Sequence, residues 1–228
     1  MPDSATGIGR PVIGLAGAIG AGKSAVARIL AEAGCVVADA DAATRAILAS
    51  REAAETLGAW WGPGILAGDG TVDRGAVARI VFADPAERKR LEGFVHPRVQ
   101  AARAAAFDAA PAEAPALVVD APLLFEAGLD GGCDHIVFVD CPRAIRLDRV
   151  AKHRGWSDEE LARREAAQWP LDRKRLRADS VVVNDADAAS LRTKVLDLLK
   201  RILAEFRDRR RDEEPSDRDP AQSEPRDA

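Results

Sequence analysis

Five short apolar runs, each bounded by turn-forming residues, punctuate the chain: PVIGLAG (11–17), CVVADA (35–40), ALVVDAP (116–122), HIVFVDC (135–141) and SVVVND (180–185). Their hydrophobicity is continuous rather than alternating, the pattern of strands covered on both faces in a parallel sheet. Helical periodicity fills residues 24–33, closed by Gly34, and a long stretch from about Ala188 to Arg207. Strand, helix, strand in repetition predicts βαβ units and an α/β fold with a doubly wound, parallel, five-stranded sheet.

Two helical regions interrupt the alternation. The first, about 42–108, is too long for a simple crossover and predicts a helical insertion beside the sheet. It holds the turn-rich WWGPGILAGDG, then helical RGAVARIVF and PAERKRLEGFV. The second, 143–178, is rich in Arg and opens a helix at SDEE, where Ser157 and Glu160 have capping-box spacing. After about Arg207 comes DRRRDEEPSDRDPAQSEPRDA, with three prolines and no aromatic residue. Such a segment cannot bury enough apolar surface to order itself, so 207–228 is predicted to be a disordered charged tail behind a folded domain of 10–206.

Composition narrows the partners. The 228 residues are 47% hydrophobic and 31% charged, and carry a formal net charge of −4. A weakly acidic chain argues against general nucleic-acid or membrane-surface binding. Cys35, Cys133 and Cys141 are odd in number and form no C-x-x-C pair, so a reducing cytoplasm is expected and a disulfide scaffold is not. His96, His135 and His153 lack metal-ligand spacing, so no zinc site is expected. No apolar run reaches membrane-spanning length, and PVIGLAGAIGAG is too quickly followed by Lys23 and a helix to read as a signal peptide.

Candidate chemistry begins with four glycines within nine residues, Gly14 to Gly22. GAIGAGKS fits G-x-x-x-x-G-K-[ST] in full and stands where it must, after a strand and at the opening of a helix. Loop N–H groups and a helix N-terminus make an anion site there. Gly17, Ala18, Ile19, Gly20, Ala21, Gly22, Lys23 and Ser24, with Ala25 beginning the helix, are the candidate ATP-binding set. Lys23 would reach the β- and γ-phosphates and the Ser24 hydroxyl would hold Mg²⁺. The glycines are read as making room for backbone to approach phosphate.

A phosphate loop specifies a nucleotide but no reaction. The guanine-reading N-K-x-D is missing, since Asn184 is the sole Asn and precedes Asp185. A kinase needs a group for the acceptor hydroxyl, and VVADADAATR supplies Asp39 and Asp41 just past the second strand. A carboxylate there either handles the hydroxyl proton or caps a helix, and position alone does not choose.

GLAGAIGAGKS, VVADADAATR, DGTVDRGAVARIVFADPAERKRLEGFVHPRV, DAPLLFEAGL and, from Gln168 to Asn184, Q followed by K...AD.VVVN occur in that order along residues 12–200. In these motifs the chain resembles the dephospho-CoA kinase family. The resemblance implies transfer of the ATP γ-phosphoryl group to the ribose 3′-hydroxyl of dephospho-CoA, the last step of coenzyme A synthesis. It implies a nucleoside-monophosphate-kinase-like core, a helical acceptor insertion over about 42–110 and a mobile lid over about 143–178. ATP and Mg²⁺ would be required, in a monomer or weak homo-oligomer. Another P-loop kinase for a nucleotide or small alcohol, or a nucleotide-binding switch without acceptor, remains the alternative.

The same resemblance implies roles for single residues. Asp41 matches the catalytic base, with Arg45 near the acceptor. His96 and Glu126 would bind the acceptor, Asp120 would hold Mg²⁺ with Ser24, and Asn184 would touch the donor adenine. Arg146, Arg149 and Arg154 would neutralise phosphoryl charge on lid closure, with Arg149 counted as catalytic alongside Asp41 and Lys23. The family places an arginine four residues after the one matching Arg149, where this chain has His153 and then Arg154. Ala16, Ala18 and Ala21 stand where Thr, Gly and Ser are commoner.

Overall fold

The computed structural model describes residues 9–213. All five apolar runs are strands: β1 (Val12–Gly17), β2 (Val36–Asp39), β3 (Leu117–Asp120), β4 (His135–Asp140) and β5 (Ser180–Val183). They pair in parallel in the order β2-β3-β1-β4-β5, so β1 lies at the centre and the chain changes direction on either side of it. Loops leaving the carboxyl ends of these strands meet along one edge, where such sheets bind ligands.

Both faces of the sheet are covered, which is why its strands read as unbroken apolar runs. On one face, α1 (Lys23–Glu32) packs against α9 (Ala188–Glu213), burying Val26, Ile29 and Leu30 with Leu191, Val195, Leu198 and Ile202 over Ile13, Leu15 and Val137. On the other, Val12, Leu117, Val119 and Phe138 pack with Phe107, Leu124 and Phe125. The last turns of α9 correct the sequence reading: residues 207–213 are helical, not part of a disordered tail. Arg and Glu are good helix formers, and each residue added to an anchored helix gains a hydrogen bond. The rest of the predicted tail, 214–228, lies outside the described residues.

Between β2 and β3 the insertion forms α2 (Ala40–Leu48), α3 (Arg51–Trp61), α4 (Arg74–Ala83) and α5 (Pro85–Asp108). It has an apolar cluster of its own, including Leu48, Leu57, Ile65, Val77, Phe94 and Val95. Between β4 and β5 lie α6 (Arg143–Arg154), α7 (Asp158–Ala166) and α8 (Leu171–Leu176). Ser157 does cap α7, its Oγ accepting from the Glu160 N–H at 3.3 Å. The Glu160 carboxylate instead takes Arg163 and Arg164, so only half of a capping box forms.

His135 opens β4, buried, with Nε2 2.9 Å from Ser180 Oγ. Burial pushes its pKa below the ordinary 6.5, aided by Arg209 and Arg201 and opposed by Asp179 and Glu205. As pH falls below the unfolded value, the unfolded chain takes up this proton first, so stability falls until pH passes the folded value. Melting temperature is therefore expected to drop between about pH 7 and pH 5, and less steeply in His135→Gln. Equal slopes in the two proteins would show that this imidazole does not titrate with unfolding.

Candidate active site

β1 ends at Gly17, and the chain curls through residues 18–22 into α1, which starts at Lys23. No side chain caps α1, so its first N–H groups are left to a ligand. Gly20 and Gly22 have φ of +78° and +94°, a conformation that disfavours any Cβ. Gly14 and Gly17 serve a different purpose from the one read in the sequence. A Cβ on Gly14 would lie 2.8 Å from Cys133 Sγ, and one on Gly17 2.8 Å from the Val139 carbonyl oxygen. These two glycines let neighbouring chain segments close on β1; Gly20 and Gly22 shape the loop.

The loop is braced from behind. Asn184, buried just past β5, donates Nδ2–H to the Ala21 carbonyl at 2.8 Å. The Arg149 guanidinium reaches the Gly20 and Ala21 carbonyls at 3.4 and 3.3 Å and the Asn184 Oδ1 at 3.4 Å. A Cβ on Gly22 would stand 2.2 Å from Asn184 Nδ2. Gly22→Ala is thus expected to break the Asn184–Ala21 bond and strain the loop, roughly 1–3 kcal/mol together. ATP affinity, measured by titration calorimetry, should weaken about tenfold or more. Unchanged affinity would mean that the loop tolerates a different shape.

In front of the loop lies a cavity of about 680 Å³. Gly17, Ala18, Ile19, Gly20, Gly22, Lys23 and Ser24 line its floor. One wall, after β4, presents Arg149, His153, Arg154, Arg163, Arg164 and Gln168; the opposite wall, after β2 and β3, presents Asp41, Phe82, Pro122 and Leu123. Among the described residues no carboxylate pairs with Arg149 or Arg154. Arg154 lies 4.8 Å from the centre of the Trp156 ring, which also carries Arg164 at 4.1 Å. His153 and Arg154 both line the cavity, because α6 ends at Arg154 and the left-handed Gly155 redirects the chain.

The two aspartates of the D-x-D divide the roles between them. Asp39 caps α2, its carboxylate accepting from the Ala42 N–H at 2.9 Å. Asp41, in the first turn of α2, is exposed and faces the cavity. Lys23 is ion-paired with Asp120, which is 5% exposed at the end of β3.

Other sequence-predicted residues lie elsewhere. Arg45 is exposed outside the cavity, 4.0 Å from Asp39. His96 is exposed on α5, beside Pro97, and does not line the cavity in front of the loop. Arg146 is buried at 4% exposure, paired with Glu165 and bonded to the Ile19 and Cys141 carbonyls, so it ties α6 and α7 to the loop and does not line the cavity. Asn184 likewise spends its amide on the loop, not on open space where an adenine would lie. Ala21 and Ala25 sit behind the floor: Ala21 is buried and Ala25 packs on the sheet core.

Glu126 is turned inward instead of toward the cavity. Its Oε1 accepts from Lys174 Nζ and from the Trp169 N–H, both at 2.8 Å, while Oε2 is buried with no partner. Burial opposes its ionisation, but the Lys174 and Trp169 hydrogen bonds outweigh it and hold the pKa below the ordinary value. Lys174, 1% exposed, also donates to Gln168 Oε1 at 2.9 Å. An ammonium only donates, so the Gln168 oxygen must face it, leaving the amide NH₂ for the cavity. Sequence reasoning missed Phe82, Arg163 and Arg164, each a lone aromatic or charge in an otherwise unexceptional helix, and Trp156, a lone aromatic in the turn between α6 and α7.

The family model for dephospho-CoA kinase matches residues 11–190. The chain belongs to the dephospho-CoA kinase family. It is 43% identical over 180 residues to a dephospho-CoA kinase of Deinococcus radiodurans, covering 78% of this chain and 86% of that one. With one from Geobacillus kaustophilus it shares 40% over 190 residues, 82% and 94% of the two chains. A crystal structure from Thermus thermophilus superposes with a TM-score of 0.73 at 38% identity, covering 86% of this chain and 97% of that one. A dephospho-CoA kinase structure from Campylobacter jejuni, at 24% identity and TM-score 0.60 over 85% and 98% of the chains, shares the fold.

Proposed function

We propose that this chain transfers the γ-phosphoryl group of ATP to the ribose 3′-hydroxyl of dephospho-CoA, giving coenzyme A. One observation carries the reading: a single cavity sets an anion-binding loop with Lys23 and Ser24 between a carboxylate, Asp41, and a wall of guanidinium groups. Phosphoryl transfer asks mainly for positioning and charge stabilisation, which is what this arrangement supplies. Loop N–H groups, Lys23 and Arg149 hold the ATP phosphates. Asp41 accepts a hydrogen bond from the attacking hydroxyl, orients it in line, and holds its proton at a carboxylate oxygen. Arg154, Arg163 and Arg164 face the charge that develops on the transferring group and help to exclude water.

The donor set near the loop fits Mg²⁺. Among the described residues no group of three or more His, Cys, Asp or Glu could hold a metal by itself. The Ser24 hydroxyl on the cavity floor suits an ion that keeps waters and shares substrate phosphates, and the buried Asp120, which pairs with Lys23 behind the floor, would reach it through such a water. When bound, Mg²⁺ would neutralise charge on the β- and γ-oxygens.

ADP release from ATP and Mg²⁺, with and without dephospho-CoA, tests the reading, with the product weighed for an added phosphate. Acceptor-dependent release yielding coenzyme A is expected. Equal release with and without acceptor would overturn it and leave a nucleotide hydrolase or switch.

A further inference from the structure

Phe82, on the last turn of α4, is 86% exposed, and Leu123, just after β3, is 44% exposed; both line the active cavity. Neither belongs to an apolar cluster, although Ile80 and Val81 beside Phe82 pack into the core of the insertion. A large apolar side chain left in water beside a binding site points to a ligand that covers it. The other cavity aromatic, Trp156, already has Arg154 and Arg164 against its ring.

The two cavity walls separate two ligands by chemistry. Arg149, Arg154 and Arg164, with the loop, suit a triphosphate. The wall of Asp41, Phe82 and Leu123 carries one carboxylate and apolar surface, which repels phosphate and suits a hydroxyl beside a flat heterocycle. A nucleoside offers both on one five-membered ring. With its 3′-hydroxyl at Asp41, its base, fixed to the same ring, falls among the residues that share this cavity, Phe82 and Leu123 included.

We propose that Phe82 and Leu123 form the platform for the adenine ring of the acceptor, with Phe82 stacking on the purine face, and so help to select the acceptor. Stacking on an aromatic ring accepts any orientation of the ring's polar edge and needs no buried partner. This rests on the reading of dephospho-CoA as acceptor.

The test is steady-state kinetics of the full chain with dephospho-CoA and ATP varied in turn. In Phe82→Ala the KM for dephospho-CoA should rise at least tenfold, with the KM for ATP within twofold; Phe82→Trp should restore most of the affinity. Leu123→Ala should act in the same direction more weakly. Inhibition by 4′-phosphopantetheine, which lacks the base, should be unaltered by Phe82→Ala. An unchanged KM for dephospho-CoA, a rise in the KM for ATP instead, or weakened 4′-phosphopantetheine inhibition would each overturn the proposal. Wild-type chain showing no acceptor-dependent turnover would strike the functional reading itself, whatever Phe82 does.

Discussion

Asp41→Asn is expected to lower kcat by roughly 10²–10⁴-fold, the range for removing a positioned general base. Asparagine keeps the size of the side chain but presents a neutral amide in place of the carboxylate, so it cannot hold the hydroxyl proton. ATP binding should stay within a few-fold of wild type, because among the described residues Asp41 forms no hydrogen bond or ion pair with the loop or with Arg149, which bonds the Gly20 and Ala21 carbonyls. Asp39 offers no substitute: its carboxylate caps α2. Single-turnover phosphoryl transfer, with ATP affinity measured separately, decides the matter. A kcat within threefold of wild type would exclude Asp41 from the chemistry, and a parallel loss of ATP affinity would reassign it to donor binding.

Lys174→Met, between β4 and β5, should be strongly destabilising. Removing the ammonium leaves Glu126 Oε1 with one partner and its Oε2 still buried with none. What remains acts mainly through burial, which disfavours the ionised carboxylate. Breaking a buried pair typically costs 3–5 kcal/mol, and the Glu126 side chain keeps some exposure, so about 3 kcal/mol is expected. In a chain of this size that lowers the melting temperature by roughly 6–12 °C. Lys174→Met combined with Glu126→Leu should recover part of the loss, because no charge is then stranded. Calorimetric melting of the single and double variants measures both; a single variant as stable as wild type would mean that water satisfies Glu126.

The strands and the loop were legible because their signals are local. A strand covered on both faces must be apolar at every position, and a phosphate loop must place Gly, Lys and Ser at set offsets. α5 was less legible. Its sequence contains Pro97, which ordinarily ends a helix, yet the helix runs from Pro85 to Asp108. Phe94 and Val95 before the proline and Phe107 after it are buried, so tertiary packing holds the helix together across the missing N–H bond. Arg146 and Arg149 differ by three residues on one helix, and both looked able to meet phosphate charge. Glu165 and the Ile19 carbonyl enclose the first, whereas the second bonds the Gly20 and Ala21 carbonyls and still lines the cavity.

By itself the sequence determined the α/β class, the five strands, the nucleotide loop and, through its ordered motifs, the family to which the chain belongs. Each depends on residues close together in the chain, where spacing alone carries the physics. Tertiary structure alone decided that Asp39 is spent on capping α2, which glycines serve packing, and that Glu126 and Asn184 face inward. It also put Phe82 and Trp156 at the same site although they stand 74 positions apart in the chain. Whether a polar or aromatic side chain meets ligand or protein depends on what the fold brings against it, and no local spacing encodes that.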